Sequence, residues 1–334
     1  MFYVSNNPLL NFIIWMCLIS EKLSTSSLFT LLRFENTMDW LVYAILCPAF
    51  WGLNNVFYKF LMTKKFQSYF SMLSFMGLID FLFAIIICLV SPANFVFPYA
   101  LFAMAVGLMP LLAFYFYSKA LMVEEISRIT PLFQFIPLFV VLLSVIFLNE
   151  ILSMQRYFGI ATIIIASLLI SYRSSISGKS LSSALKFMIT SSMVLAVHSI
   201  LEKLLLSYID YWSLFFWNLL GAFLGVLFLL IFSKPRKEFA NAINSVGKRA
   251  FAIVLLGEGV YFLGTISWLI AASMGYVSLV STFAGLQHFF VFIYVLLSSL
   301  FVPDLLKEEI TLGIITLKIS AIALIFAGTW LVTV

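Results

Sequence analysis

From residue 39 onward the chain is a succession of apolar runs, each about as long as a bilayer crossing and each ended by a short charged or proline-containing break. The breaks place ten spans at 39–61, 69–90, 99–121, 127–148, 156–172, 184–207, 211–232, 250–271, 276–301 and 312–333. The runs are uninterrupted and lack the ten-residue alternation of barrel strands, so their backbones must satisfy themselves as helices. The expected fold class is an all-α polytopic membrane protein. Residues 1–38 differ, because the apolar run at 8–19 is short for a span and is followed by the polar stretch SEKLSTSS. They read as an N-terminal extension, disordered or interfacial, or as translation from an upstream start codon, with an eleventh span as the alternative.

The chain also repeats itself. LNNVFYKFL (Leu53 to Leu61) aligns with VHSILEKLL (Val197 to Leu205), and ALMVEEISRITPLFQ (Ala120 to Gln134) aligns with AASMGYVSLVSTFAG (Ala271 to Gly285). The two matches fall in the same order at similar spacing, which divides the chain into a first five-helix repeat at 39–172, a linker at 173–183 and a second repeat at 184–334. Five is odd, so the second repeat must enter the membrane in the opposite sense. Two inverted five-helix repeats are a transporter architecture, with a site near the midplane between the halves.

Composition sharpens the class. At 63% hydrophobic and 10% charged, the chain cannot hide its apolar surface in one water-soluble core. A net charge of +5 would suggest nucleic acid in a soluble protein, but here the basic residues sit in short loops and set topology instead. Their distribution predicts both termini outside the cytoplasm. Three cysteines and two histidines are too few and too scattered for a metal centre, and no Walker sequence is present, so no metal or cofactor is expected.

Several segments resemble the drug/metabolite transporter superfamily and its EamA-like family. PAFWGLNNVFYKF (Pro48 to Phe60) is similar to the family's Trp-Gly-x-Asn followed by a basic residue. Ala120 to Ser171 resembles its Ala-Leu entry, proline-containing fourth helix, following Glu at Glu150, and Gly early in the fifth helix at Gly159. The second half departs from the pattern, lacking counterparts of Pro131 and Pro137 and carrying an inserted PDLLK (Pro303 to Lys307) before Glu309. The resemblance implies a secondary transporter of a small organic metabolite in the cell membrane, without catalytic residues. The competing class is an integral-membrane enzyme acting on a lipid-like substrate, although the acids, histidines and serines show no catalytic cluster near one interface. The expected partners are the small-molecule metabolite and membrane lipids, with a homodimer left open and no nucleic acid.

Polar residues inside the spans mark the candidate site, since each costs free energy unless it has a partner or a water-filled cavity. Trp51, Asn55 and Lys59 form one helical stripe at i, i+4 and i+8, with Asn54 beside them. Thr130 and Gln134 accompany the prolines of the fourth span, and Gln287 and His288 lie in the ninth. These eight are the substrate-binding candidates. His198 and Glu202, four apart in the sixth span, pair an imidazole with a carboxylate and suit proton coupling. Glu258 in the eighth span and Asp80 in the second join them as ion-coupling or gating candidates, with Lys59 or Lys203 as prospective partners of Glu258. The alternative for His198 and Glu202 is an end-of-helix pair in the headgroup region, and Tyr115 and Tyr117 read as belt residues at the interface.

Overall fold

The computed structural model describes residues 39–64, 66, 69–121, 130–171, 181–245, 247–287, 289–291, 293, 294, 297 and 312–333. The N-terminal extension, residues 173–180 of the linker, His288, the PDLLK insertion and Glu309 lie outside the described residues, as do the side chains of Lys59, Thr130 and Pro131. Among the described residues all regular structure is helical. In chain order the α-helices are α1 (Asp39–Lys64), α2 (Tyr69–Val90), α3 (Tyr99–Gly107), α4 (Met109–Leu121) and α5 (Phe135–Leu148), the last preceded by a 3-10 turn at Thr130–Gln134. Then follow α6 (Met154–Ser171), α7 (Leu181–Leu205), α8 (Tyr211–Ile231), α9 (Ser233–Ser245), α10 (Lys248–Met274), α11 (Val277–Ala284) and α12 (Leu312–Thr333).

Six stretches are long and apolar enough to cross a membrane: Asp39–Tyr58, Phe70–Leu89, Tyr99–Ala120, Ala184–Leu205, Tyr211–Ile231 and Lys248–Met274. The fourth, fifth, ninth and tenth expected spans have shorter apolar helices, and some spans, the third among them, are interrupted. The third span bends at Leu108 because Pro110 has no N–H to give the preceding turn, and the Leu108 N–H bonds to Ala105 instead. The fourth starts as a 3-10 turn carrying Pro131 and becomes α-helical only at Phe135. The ninth breaks after Ala284, where the Gly285 and Leu286 N–H groups bond three residues back. The amphipathic α9 is an element that the apolar pattern did not announce.

The helices pack in antiparallel pairs across the two halves. Along α1 and α10, Trp40 meets Gly275, Trp51 meets Gly264, and Asn54 meets Gly257. On α2 and α8, Gly77 meets Val226 and the Phe81 and Phe223 rings stack at 4.4 Å. Gly159 near the start of α6 faces Gly328 near the end of α12. α4 lies along α7, where the Ser191 hydroxyl donates to the Ala113 carbonyl at 2.9 Å. The tightest crossing is α3 on α8: a Cβ on Gly107 would overlap the Asn218 carbonyl, and one on Gly221 the Met104 carbonyl. Small residues let the backbones approach this closely, which is how apolar helices gain packing energy where lipid is equally apolar. The Gly221 and Gly225 pair thus packs helices as its spacing suggests.

Candidate functional site

The fourth and ninth expected spans touch at their breaks. Gln134, at the end of the 3-10 turn and 4% exposed, donates from Nε2 to the Gly285 carbonyl at 3.4 Å. The neighbouring Gln287 donates from Nε2 to the Trp51 carbonyl at 3.3 Å, tying the ninth expected span to α1. Interrupted helices at corresponding positions of two halves free carbonyls for a ligand, and they mark the binding region in inverted-repeat transporters.

Trp51 forms the adjoining wall. Its indole Nε1 donates to the Thr265 hydroxyl at 3.3 Å, and its ring stacks with Tyr261 at 6.3 Å and Trp268 at 6.0 Å. Asn54 is buried against Gly257. Asn55 is exposed, on the sector of α1 between the side that meets α10 through Asn54 and the side that meets Gln287 and Phe290 through Gly52. Trp51, Asn54, Asn55, Gln134 and Gln287 are therefore brought together. Of Lys59 and Thr130 only the backbone positions are described, in α1 and at the start of the 3-10 turn.

The acids occupy two levels. Glu202, 2% exposed, accepts from Asn218 Nδ2 at 2.7 Å on Oε1 and from Trp268 Nε1 at 2.9 Å on Oε2. His198 Nδ1 stands 3.6 Å from Oε2 and keeps 16% of its side chain accessible. Glu202 is thus a buried carboxylate with two directed donors, since α8 and α10 both close over it. About ten residues, or ~15 Å, along α10 from Trp268 lies Glu258, 3% exposed and within electrostatic reach of Asp80 and Tyr58. Asp80 is half-buried on α2 and shares that surrounding with Tyr261.

Lys203 does not pair with Glu258. Its ammonium donates to the carbonyls of Ala272 at 2.5 Å and Gly275 at 2.8 Å, fourteen or more residues farther along the chain than Glu258 and so ~21 Å away on the helix. It satisfies carbonyls that the end of α10 leaves open. Across the same junction, Glu150 accepts from the Val277 N–H at 2.9 Å, the Ser278 N–H at 3.1 Å and the Ser278 hydroxyl at 2.7 Å. A carboxylate from the first half thus caps the N-terminus of α11 in the second. Asn149, at φ 53° in the left-handed region that Asn tolerates, ends α5 and turns Glu150 inward.

Sequence reasoning missed Asn218, Trp268, Tyr261 and Thr265. Asn218 was discoverable as the lone amide in an apolar span, whereas the others look like ordinary packing residues until their neighbours are known. The Tyr117 ring packs on Phe133 at 5.0 Å and is an electrostatic neighbour of Tyr58, while Tyr115 is exposed, with Lys119 over its ring at 5.3 Å. Among the described residues no group of three metal-binding side chains occurs.

These features define a polytopic helical membrane protein with a polar interior between two sets of helices. Residues 38–172 match the model of the EamA-like transporter family, so this part of the chain is similar to membrane transporters of that kind. No curated protein matches the sequence. A solved crystal structure, 16% identical, superposes with a TM-score of 0.69 over 88% of this chain and 98% of its own, and shares the fold.

Proposed function

We propose that the chain is a secondary transporter that moves a small organic metabolite by alternating access of two inverted five-helix halves. The observation that carries this reading is the contact of Gln134 with Gly285. The two residues occupy the same place in the internal repeat, and a residue that touches its own counterpart lies on the axis relating the halves. The stacking of Phe81 on Phe223, each twelve residues into its helix, supports the same axis. The α1–α10 and α2–α8 pairs, whose contacts run in opposite order along the two helices, each join an odd span to an even one, as ten successive crossings require. The two halves are then free to rock about the axis, exposing the space beside Trp51, Asn54, Asn55, Gln134 and Gln287 to either side in turn.

Coupling to protons goes through Glu202 and His198 in this reading. The carboxylate is buried and the imidazole beside it partly accessible, so a proton can pass from the aqueous side through His198 to Glu202. Cys47, Lys203 and Tyr261 complete the titratable surroundings. Asp80 and Glu258 form a second acidic level that supports gating or cation exchange. Counterflow in proteoliposomes loaded with a fractionated metabolite extract tests the proposal. A saturable exchange driven by a pH gradient and lost in Glu202→Gln is the expected result, and formation of a chemically altered product without flux would favour an enzyme.

A further inference from the structure

We infer that α9 is an interfacial helix whose basic outer face binds the headgroups of anionic phospholipids. α8 ends at Ile231 and α10 starts at Lys248, so the 13 residues of α9 join the ends of two spanning helices at one membrane face. The helix has a built inner side. Pro235 and Ala242 are buried, the Phe239 ring meets Phe75 edge-on at 5.3 Å, and the Ser71 hydroxyl donates to the Glu238 carbonyl at 2.9 Å. These contacts fix α9 across the ends of α2 and α10, which holds its opposite arc toward the interface.

That arc carries Lys234, Arg236 and Lys237, all exposed, and the exposed Lys248 and Arg249 continue the charge at the start of α10. Between Ser233 and Arg249 there are five basic residues and one acid. Among the described residues none of these five cations forms a salt bridge. Apolar groups share the level: Phe232 and Ile243 are each 53% exposed, with Ile243 two turns from Arg236 on the same side. A helix that presents cations and isolated apolar side chains together fits a bilayer surface, where the cations meet phosphates and the apolar groups enter the acyl boundary. Lipid is the occupant because the patch lies where α8 leaves and α10 enters the apolar layer, so headgroups are its immediate neighbours.

The full chain, reconstituted in phosphatidylcholine vesicles containing either spin-labelled phosphatidylglycerol or spin-labelled phosphatidylcholine, tests this by the fraction of motionally restricted label. Severalfold preference for phosphatidylglycerol at low salt is expected, declining toward parity at about 0.5 M NaCl as screening shortens the reach of the charges. The combined variant Lys234→Gln, Arg236→Gln, Lys237→Gln should lose most of that preference at unchanged thermal unfolding midpoint, since these side chains are exposed. Equal restriction of the two lipids by the natural sequence, or undiminished preference in the variant, would overturn the proposal. Abolition of the preference by millimolar inorganic phosphate would overturn it too, assigning the patch to free phosphate.

Discussion

Gln134 donates to the carbonyl of Gly285, and the two residues end the matching segments of an internal repeat that can be read in the sequence. The contact brings two helix breaks together in the interior of the bundle, where unpaired backbone polar groups would otherwise be costly.

A Cβ added at Gly285 would stand 2.9 Å from Gln134 Oε1 and 3.1 Å from the Thr282 carbonyl. Gly285→Ala must therefore push the flexible end of the Gln134 amide away and weaken its bond to the Gly285 carbonyl, at a cost of about 0.5–1.5 kcal/mol. Thermal unfolding in detergent should show a lower midpoint for Gly285→Ala than for Gly247→Ala, whose added Cβ meets nothing within 4 Å. Equal midpoints would show that the break is loosely packed.

Glu150 carries the connection between the halves at the end of α10. Glu150→Ala leaves the Val277 and Ser278 N–H groups buried without their acceptor, which costs roughly 1–3 kcal/mol for each such group. Ser278→Ala removes only the hydroxyl partner. Unfolding midpoints should fall in the order natural sequence, Ser278→Ala, Glu150→Ala, and a reversal of the two variants would contradict the capping role.

The Glu202 carboxylate and the Trp268 indole are bonded at 2.9 Å in a buried setting, so their substitutions should not be additive. Trp268→Phe leaves Glu202 with Asn218 as its remaining bonded donor, while Glu202→Gln removes the charge but keeps the shape. A double-mutant cycle on stability should give a coupling of about 1–3 kcal/mol, as charge-assisted hydrogen bonds do. A coupling near zero would mean that the bond contributes nothing to the folded state.

Much of this architecture was legible in the chain. Six expected spans appear at nearly the expected bounds, because apolar length is set by bilayer thickness alone. Asn54 and Gln134 are buried, for the energetic reason that made their amides conspicuous in apolar spans, whereas Asn55 is exposed. Partner choice was less legible. Lys203 looked like a counter-ion for Glu258, yet helix register sends it to the carbonyls of Ala272 and Gly275, and nothing local to LEKLL encodes that. The amphipathic α9 was hidden because its sequence, SKPRKEFANAINS, reads as a charged loop until Phe239 and Ala242 are seen to pack on α2 and α10. Likewise, the cap on α11 depends on Asn149 reversing the chain after α5, a consequence of tertiary packing.

The α3 and α8 crossing tolerates no side chain. Gly221→Ala would place a methyl group into the Met104 carbonyl, and backbone cannot yield as a flexible side chain does. The expected loss is at least about 1–3 kcal/mol, with reduced recovery of folded protein, whereas Gly259→Ala, whose Cβ meets only the Phe83 ring at 3.7 Å, should be tolerated. Similar yields and midpoints for the two would contradict the close approach of these helices.

Alternating access itself is tested most directly at Asn55, the exposed amide on the arc of α1 between its contacts with α10 and those with Gln287 and Phe290. Asn55→Cys, in a background with Cys17, Cys47 and Cys88 replaced by serine, is reconstituted in vesicles and treated with a membrane-impermeant maleimide from either side. The account predicts labelling from both sides, with the balance between them shifted by an imposed pH gradient or by a transported metabolite mixture. Labelling confined to one side under every condition would contradict it.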